Sequence, residues 1–224
     1  MIELVYDDWI TIIPGATLYR VRAAEDMPWH GVHKGDLGGF VSEDTDVSSA
    51  AWVSSPSLVY DGSSVDGTSA ILGNCIVKKS TIKGNSVLRG NSHVYDSTIA
   101  GDSQLMDATV SDGATVTSCG VYKSTIIGSV TIDNAYICGE LVKHPDDIIS
   151  VWGTLFPVTV GNKNISISEK TKTIHEWYSL TDDELRAELG ERGLLWWKSW
   201  SRRLLGLTRK CSDEDCWWHG SCKH

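Results

Sequence analysis

An aliphatic residue recurs every five or six positions between Val41 and Ile137, and this period restricts the fold more than any other feature. Helices and simple strands do not explain it, because they repeat about every 3.6 and about every 2 residues. Three successive steps add up to about seventeen residues, so side chains one such interval apart can stack in a column. The series is Val41, Val47, Val53, Val59, Val65, Ile71, Ile76, Ile82, Leu88, Val94, Ile99, Leu105, Val110, Val116, Val121, Ile126, Ile132 and Ile137.

This interval sorts most of the series into three columns, which is typical of a triangular parallel β-helix. The predicted columns are Val65, Ile82, Ile99 and Val116; Ile71, Leu88, Leu105, Val121 and Ile137; and Val59, Ile76, Val94, Val110 and Ile126. We therefore expect a mainly β fold, a single-stranded parallel β-helix of about six coils with an N-terminal β cap and a C-terminal α-helical tail. The hexapeptide-type spacing favours a left-handed coil.

Small residues usually stand two positions before the next aliphatic residue, where a triangular coil would fold inward. They are Ala51, Ser57, Ser63, Ser69, Ser80, Ser86, Ser92, Ser103 and Ala114. Glycines, with Asn74, Asn85, Asn91 and Asp102, supply residues that tolerate positive φ at the corners. A disordered Ser/Gly-rich linker is excluded, because it would not keep an aliphatic register over this length.

The chain divides into four predicted segments. They are a β cap over 1–40, the β-helix over 41–142, an irregular connector over 143–170 with strand-like Ser150 to Val160 around Trp152, and a helical, Trp-rich tail with a Cys/His terminus over 171–224. In the cap, strands are expected from Glu3 to Ile13 and from Thr17 to Ala23, with a turn at Pro14-Gly15.

The tail contains the signals of two helices. Thr181 is a good N-cap, and Glu184 completes a capping box with it. This helix should end near Gly190, and a second one should run from about Gly193 to Thr208. On the second helix, the inner face is expected to carry Leu194, Trp197, Leu204 and Leu205.

Charge and hydropathy restrict the partners and the cellular location that the sequence predicts. The net charge is −9, and residues 41–140 contain eleven acidic and five basic residues, so direct nucleic-acid binding is disfavoured. No apolar run approaches the ~20 residues of a membrane span, and the N-terminus lacks the features of a signal peptide. We expect a cytoplasmic protein in which Cys75, Cys119 and Cys138 are small buried residues in a reducing compartment.

Two N-terminal segments and one later segment carry a family signature. They are Leu18-Tyr-Arg-Val-Arg-Ala23, Val32-His-Lys-Gly-Asp-Leu-Gly-Gly-Phe-Val41 and Thr173-Ile-His-Glu-Trp177. The chain resembles a group of bacteriophage and prophage proteins that continue into A-x-V-x-G-x repeats and end in a helical tail. Its rod resembles hexapeptide-repeat and bactofilin-like β-helices. The resemblance implies a phage or prophage origin and no settled biochemical role.

Positive residues of the cap are the first candidate site. Arg20 and Arg22 alternate along one strand, and with His33 and Lys34 they could hold a phosphate-bearing ligand. Alternatively, the arginines pair with Asp26, Asp36 or Glu43 and fasten the cap, which is the favoured interpretation.

Tryptophans and the C-terminus supply two further candidates. Trp196, Trp197 and Trp200 either pack within the protein, which is favoured, or bind a partner. Cys211, Cys216, His219 and Cys222 are four zinc-type ligands within twelve residues. Their spacing does not match a common zinc finger, so a structural zinc ion, a disulfide and a disordered tail all remain open. No other cofactor is expected.

Three classes of function follow. The first is a non-enzymatic phage or prophage protein that inhibits a host defence system, by binding a host protein or by sequestering a small signalling nucleotide. The second is a structural protein that forms a virion part or a filament. The third is a hexapeptide-repeat acyltransferase, disfavoured because His93 is the rod's only histidine and lacks an adjacent loop for an acceptor. Rods of this kind often associate side by side, so a homo-oligomer, most simply a trimer, is expected.

Overall fold

Three sheets of short strands form the sides of a parallel β-solenoid in the computed structural model, which describes residues 2–13, 16–151 and 153–208. The chain starts with β1 (Ile2–Ile13), β2 (Ala16–Ala23) and β3 (Leu37–Ser42), and a short 3-10 helix (Pro28–His30) lies between β2 and β3. The strands that follow are β4 (Asp46–Val47), β5 (Trp52–Val53), β6 (Leu58–Tyr60), β7 (Ser64–Val65), β8 (Ala70–Ile71), β9 (Ile76–Lys78), β10 (Thr81–Ile82), β11 (Val87–Arg89), β12 (His93–Tyr95), β13 (Thr98–Ala100), β14 (Gln104–Met106), β15 (Thr109–Ser111), β16 (Thr115–Thr117), β17 (Gly120–Tyr122), β18 (Thr125–Ile127), β19 (Thr131–Asp133), β20 (Tyr136–Cys138) and β21 (Leu141–Val142).

Each side takes every third strand. The first side has the order β1-β2-β3-β6-β9-β12-β15-β18-β21, in which the antiparallel hairpin β1–β2 extends the parallel strands. The second side contains β4, β7, β10, β13, β16 and β19, and the third contains β5, β8, β11, β14, β17 and β20. The predicted triangular β-helix with an N-terminal β hairpin is therefore confirmed, while its left-handed sense stays a prediction.

The inner faces of the three sides carry the predicted aliphatic columns. Val65, Ile82, Ile99 and Val116 stand in register on the second side, and Ile71, Leu88, Leu105, Val121 and Ile137 on the third. These side chains are at most 1% exposed. Burying each one stabilises the fold by about 1.5–3 kcal/mol relative to leaving it in water.

The third column was predicted wrongly at one position. Val77, not Ile76, stands between Val59 and Val94 in the strand register and is fully buried. Ile76 is paired with Leu58 on the outer face, where both side chains pack against a small apolar cluster formed by Leu18, Phe40 and Tyr60. Two adjacent aliphatic residues satisfy the period equally well, and only the register decides which one faces inward.

The corners contain the predicted small residues, all buried. Cys75 and Cys119 take the place of a small corner residue in their coils. Like the serine carbonyls at this position, their carbonyls accept ladder hydrogen bonds, from Leu58 and Gln104 respectively. The polar corner residues behave differently from the prediction. Asn85 lacks a positive φ; its side chain instead donates to Asp102 one coil away, at 2.7 Å. Stacked side-chain hydrogen bonds, rather than backbone permissiveness, explain this residue.

Residues from outside the coils close the core. Ala23, Met27 and Val32 belong to the main apolar cluster at the N-terminal end, and Ile148 packs against the same cluster at the C-terminal end. Solenoids need such covers because an open end would expose apolar side chains and unpaired strands.

The prediction of an irregular connector over residues 143–170 was wrong. This segment contributes a 3-10 helix and most of a four-stranded antiparallel sheet, and the stretch predicted as strand-like overlaps two of its strands. The elements are the 3-10 helix (Pro145–Asp147), β22 (Ile149–Val151), β23 (Val158–Val160), β24 (Asn164–Ile167) and β25 (Lys170–Thr173), with the sheet in that strand order. Strands of three or four residues are too short to show a clear alternation in sequence.

Glu140 joins this sheet to the solenoid. It occupies a small-residue corner position in the last coil and is 6% exposed. Its carboxylate accepts hydrogen bonds from the backbone N–H groups of Lys163 and Asn164, at 3.2 and 2.8 Å. Burial raises the pKa of Glu140 above its ordinary value, against the opposing effect of these hydrogen bonds.

Two helices complete the described chain, α1 (Ile174–Ser179) and α2 (Asp182–Leu207). The capping box of Thr181 and Glu184 is present as predicted, and the helix is interrupted at Gly190, whose φ is +77°. A second capping box, Thr173 with Glu176, starts α1. No helix within the described ranges has the length and apolar character required to cross a membrane.

Candidate functional site

The arginines of the cap are already neutralised by acidic residues of β1. Arg20 forms an ion pair with Asp8 and donates to the Gly38 carbonyl at 3.0 Å, while Arg22 pairs with Glu3 at 2.7 Å. Antiparallel pairing places Glu3 opposite Arg22, and Asp8 lies within a bulge of β1 between Val5 and Trp9. The arginines therefore fasten the hairpin, but the partners predicted for them, Asp26, Asp36 and Glu43, were wrong.

His33 and Lys34 do not join these arginines in one site. His33 lies in the loop between β2 and β3 with its side chain 84% exposed, and its Nδ1 is 3.9 Å from an Asp26 oxygen. The backbone N–H of Lys34 donates to the same carboxylate at 2.8 Å. The structure thus gives no converging set of positive groups for a phosphate among these four residues.

The tryptophans pack between the antiparallel sheet and the helices. Trp196 and Trp197 are 7% and 5% exposed, and Trp177, which is fully buried, lies 5.5 Å from Trp197 between ring centroids. Trp200 is half-buried and stacks on Trp196, with the Arg203 guanidinium 5.1 Å from the Trp200 ring centroid. The predicted packing role fits this arrangement, because Trp196 and Trp197 have almost no exposed surface left for a partner.

The four metal-type ligands of the tail, Cys211, Cys216, His219 and Cys222, lie outside the described residues. Within residues 2–13, 16–151 and 153–208, no group of three or more His, Cys, Asp or Glu side chains is placed to hold a metal ion. The hypothesis of a structural zinc ion therefore stays a prediction about the tail.

Among the described residues, a side cleft of about 330 Å³ is the best candidate site. It lies between the last two coils of the third side, β23, and the turn that joins β24 to β25. Gly120 and Tyr136 lie on its solenoid side, and Pro157, Ser168 and Glu169 contribute from the antiparallel sheet. Ligand sites are commonly concave regions of this size at the junction of two substructures.

Gly120 makes room for an aromatic pair beside the cleft. It lies opposite Tyr136 in the ladder, and the rings of Tyr122 and Tyr136 are 5.1 Å apart with an angle of 30° between their planes. A Cβ atom on Gly120 would lie 2.9 Å from Tyr136 Cδ2 and 3.1 Å from Tyr122 Cε2. The glycine is thus required by space, since a glycine within a strand often marks a close approach.

Hydrogen bonds fix the two walls relative to each other. The Tyr136 backbone N–H donates to the Thr159 hydroxyl at 3.0 Å, and the Asn164 side chain donates to the Cys138 carbonyl, also at 3.0 Å. The Ser168 backbone N–H donates to the Pro157 carbonyl at 2.8 Å. The cleft is therefore bounded by connected elements on both sides.

Several polar groups of the cleft are free to bind a ligand. Within the described part of the chain, the side chains of Ser118, Ser168 and Glu169 form no hydrogen bond, although all three line the cleft. Burial raises the pKa of the Tyr136 hydroxyl, and nearby Tyr122, Cys138 and Glu169 raise it further. Lys, Arg and His are missing from the described lining, so this cleft offers donors and acceptors but no positive charge.

The sequence predictions did not include this cleft. Its one local signal is Gly120, the first residue of β17, which is aligned with Tyr136 in the next coil. Of the second wall, only strand-like residues from Ser150 to Val160 were predicted, and the turn that contains Ser168 and Glu169 was not. No family model matches the chain, and no curated protein is significantly similar to it.

Proposed function

We propose that the chain is a non-enzymatic binding protein that takes its ligand in the cleft beside Tyr136. The observation that carries the proposal is the set of free polar side chains, Ser118, Ser168 and Glu169, in a cleft whose walls are held together by hydrogen bonds. Ser118 and Ser168 are half-buried and Glu169 is exposed, so their polar groups are accessible and can exchange bound water for hydrogen bonds to a ligand.

The resemblance to phage and prophage proteins supports a target in the bacterial host, including a defence system. Of the two ways of inhibiting such a system, binding a host component is better supported than sequestering a nucleotide. Arg20 and Arg22 are occupied by Asp8 and Glu3, and the cleft has no positive side chain for a phosphate.

The two other classes of function have weaker support. A filament built by end-to-end stacking would need free coil ends, whereas Met27, Val32 and Ile148 border the core at its two ends. For an acyltransferase, His93 would act as a base on the outer face of the first side. The centroids of the His93 and Tyr95 rings are 6.0 Å apart. No side-chain hydrogen bond with a described residue orients the His93 ring as a base.

Affinity capture tests the proposal with a filled cleft. The full chain, immobilised, is exposed to bacterial lysate beside two variants. Glu169→Trp places an indole at the cleft, and Glu43→Trp is the matched control at an exposed turn position between β3 and β4. We expect a host component to be retained by the wild type and by Glu43→Trp and lost from Glu169→Trp. Retention of nothing, or equal retention by all three, contradicts the proposal, as does turnover of acetyl-coenzyme A by the purified chain.

Two companion measurements address assembly and biological role. Light scattering should give a discrete homo-oligomer, with a trimer as the expected state, whereas open-ended polymers would favour the filament. Expression of the chain in a bacterium that carries a defence system should restore plaque formation by a restricted phage. Unchanged restriction across a panel of defence systems would remove the defence part of the proposal.

A further inference from the structure

We propose that the ligand class of the cleft is a neutral sugar, one or two pyranose rings of a glycan. This inference rests on the proposed binding function and names its ligand. It follows from the aromatic face, the hydrogen-bonding groups and the charge of the cleft.

The aromatic face belongs to Tyr136. Tyr136 lines the cleft, and its ring packs against that of Tyr122, 5.1 Å away between centroids. The face of an aromatic ring is electron-rich, so it attracts the weakly positive C–H groups that a pyranose presents on one face. A ring that is held by a second ring and by the space over Gly120 is pre-organised for this contact.

The polar groups match hydroxyl chemistry. Ser118 and Ser168 each offer a hydroxyl that donates and accepts, and Asn134 offers an amide whose nitrogen already donates to Asp133 at 2.9 Å. Glu169 adds a carboxylate that accepts from sugar hydroxyls. Groups that both donate and accept suit a ligand whose own hydroxyls do the same.

Charge and size separate a sugar from the other ligands. A phosphate would meet the Glu169 carboxylate without any compensating cation in the described lining. An arginine-rich peptide would be expected to meet several carboxylates, and Glu169 is the sole one among the described lining residues. The volume, about 330 Å³, is at the lower end for ligand sites and holds one or two sugar rings.

Saturation-transfer difference NMR on the full-length protein tests the inference. The probes are glucose, galactose, mannose, rhamnose, N-acetylglucosamine, maltose and chitobiose, with a cyclic dinucleotide and an arginine-rich peptide as charged comparisons. We expect saturation of the ring protons of at least one neutral sugar and none of the charged probes. Saturation of no sugar, or of a charged probe alone, overturns the inference.

Three variants assign the binding to the cleft. Tyr136→Leu keeps an apolar cover over Gly120 but removes the aromatic face, and it should weaken sugar binding by about tenfold. Tyr95→Leu, on the first side, is the matched control and should leave the affinity unchanged. Glu169→Gln removes the charge and should change sugar affinity by less than about threefold, because an amide still accepts hydrogen bonds. Equal affinities of Tyr136→Leu and the wild type contradict the assignment.

The outcome separates this inference from the proposed function. If the wild type retains a host component in the capture experiment and Glu169→Trp does not, but no sugar is bound, only the ligand class is wrong. If neither capture nor sugar binding is observed, both proposals are wrong.

Discussion

Substitution of a stacked corner glycine should cost more than the same substitution at a free turn. Gly84 has a φ of +83°, and a Cβ atom there would lie 2.5 Å from the carbonyl oxygen of Gly101, the equivalent residue one coil further on. Gly35 has a similar φ of +92°, but a Cβ atom there would have no atom within 4 Å. Gly84→Ala and Gly35→Ala therefore share the backbone strain and differ in the clash.

The magnitudes follow from these two terms. A left-handed backbone costs an L-residue about 1–2 kcal/mol, which is the whole expected effect of Gly35→Ala. Gly84→Ala adds overpacking of about 1–3 kcal/mol, because the opposing atom is backbone and cannot rotate away. We expect Gly84→Ala to destabilise the protein by about 2–5 kcal/mol in total.

Urea unfolding followed by far-UV circular dichroism measures both variants against the wild type. Equal losses of stability in Gly84→Ala and Gly35→Ala would refute the reasoning, since the corners would then not be in contact from coil to coil. A gain of stability in Gly84→Ala would refute it more strongly.

Three further predictions concern buried groups. Burial raises the pKa of the Cys75 and Cys119 thiols from 9.0 to about 11, so both should resist alkylation at pH 8 until the protein unfolds, as peptide mapping by mass spectrometry would show. Because the raised pKa favours the protonated thiol in the folded state, their contribution to stability is complete below pH 9 and should be lost as the pH rises towards 11 in urea titrations. Trp177→Phe should lower the free energy of unfolding by about 1–3 kcal/mol more than Trp196→Phe, as measured by thermal or urea unfolding. The reason is that the Trp177 indole donates to the Ile165 carbonyl at 2.7 Å, whereas the buried Trp196 indole has no partner among the described residues. Equal losses of stability would contradict this.

The sequence predicted the solenoid because the burial of one aliphatic residue per side repeats without a break. Columns such as Ile71, Leu88 and Leu105 follow from spacing alone, since a coil that loses its inward residue would leave a cavity. The period could not distinguish Ile76 from Val77, because both are aliphatic and the outer face at that point is also apolar.

Long-range pairing accounts for what the sequence did not predict. Asp8 and Glu3 meet the arginines only because β1 folds back on β2 with a bulge. Glu140 is an unlikely residue for a small corner position, and its burial makes sense only with the backbone N–H groups of the antiparallel sheet beside it.

The cleft belongs to the same category. Gly120 and Tyr136 are sixteen residues apart and are brought together by the coil, so this half could be inferred from the repeat. Ser168 and Glu169 lie in a turn of the antiparallel sheet, whose strands of three or four residues are too short to show a clear alternation in the sequence. A site built between the last coils of a repeat and an antiparallel sheet can therefore be predicted only in part from the sequence.

Hydrogen–deuterium exchange with and without the best-binding sugar tests the central claim most directly, because it maps binding along the whole chain. We expect slower exchange in peptides that cover residues 118–136 and 157–169, with no change in residues 16–36, which contain the arginines of the cap. Protection in residues 16–36 instead, or no protection with any probe, would contradict the claim that this protein binds its ligand in the side cleft of the solenoid.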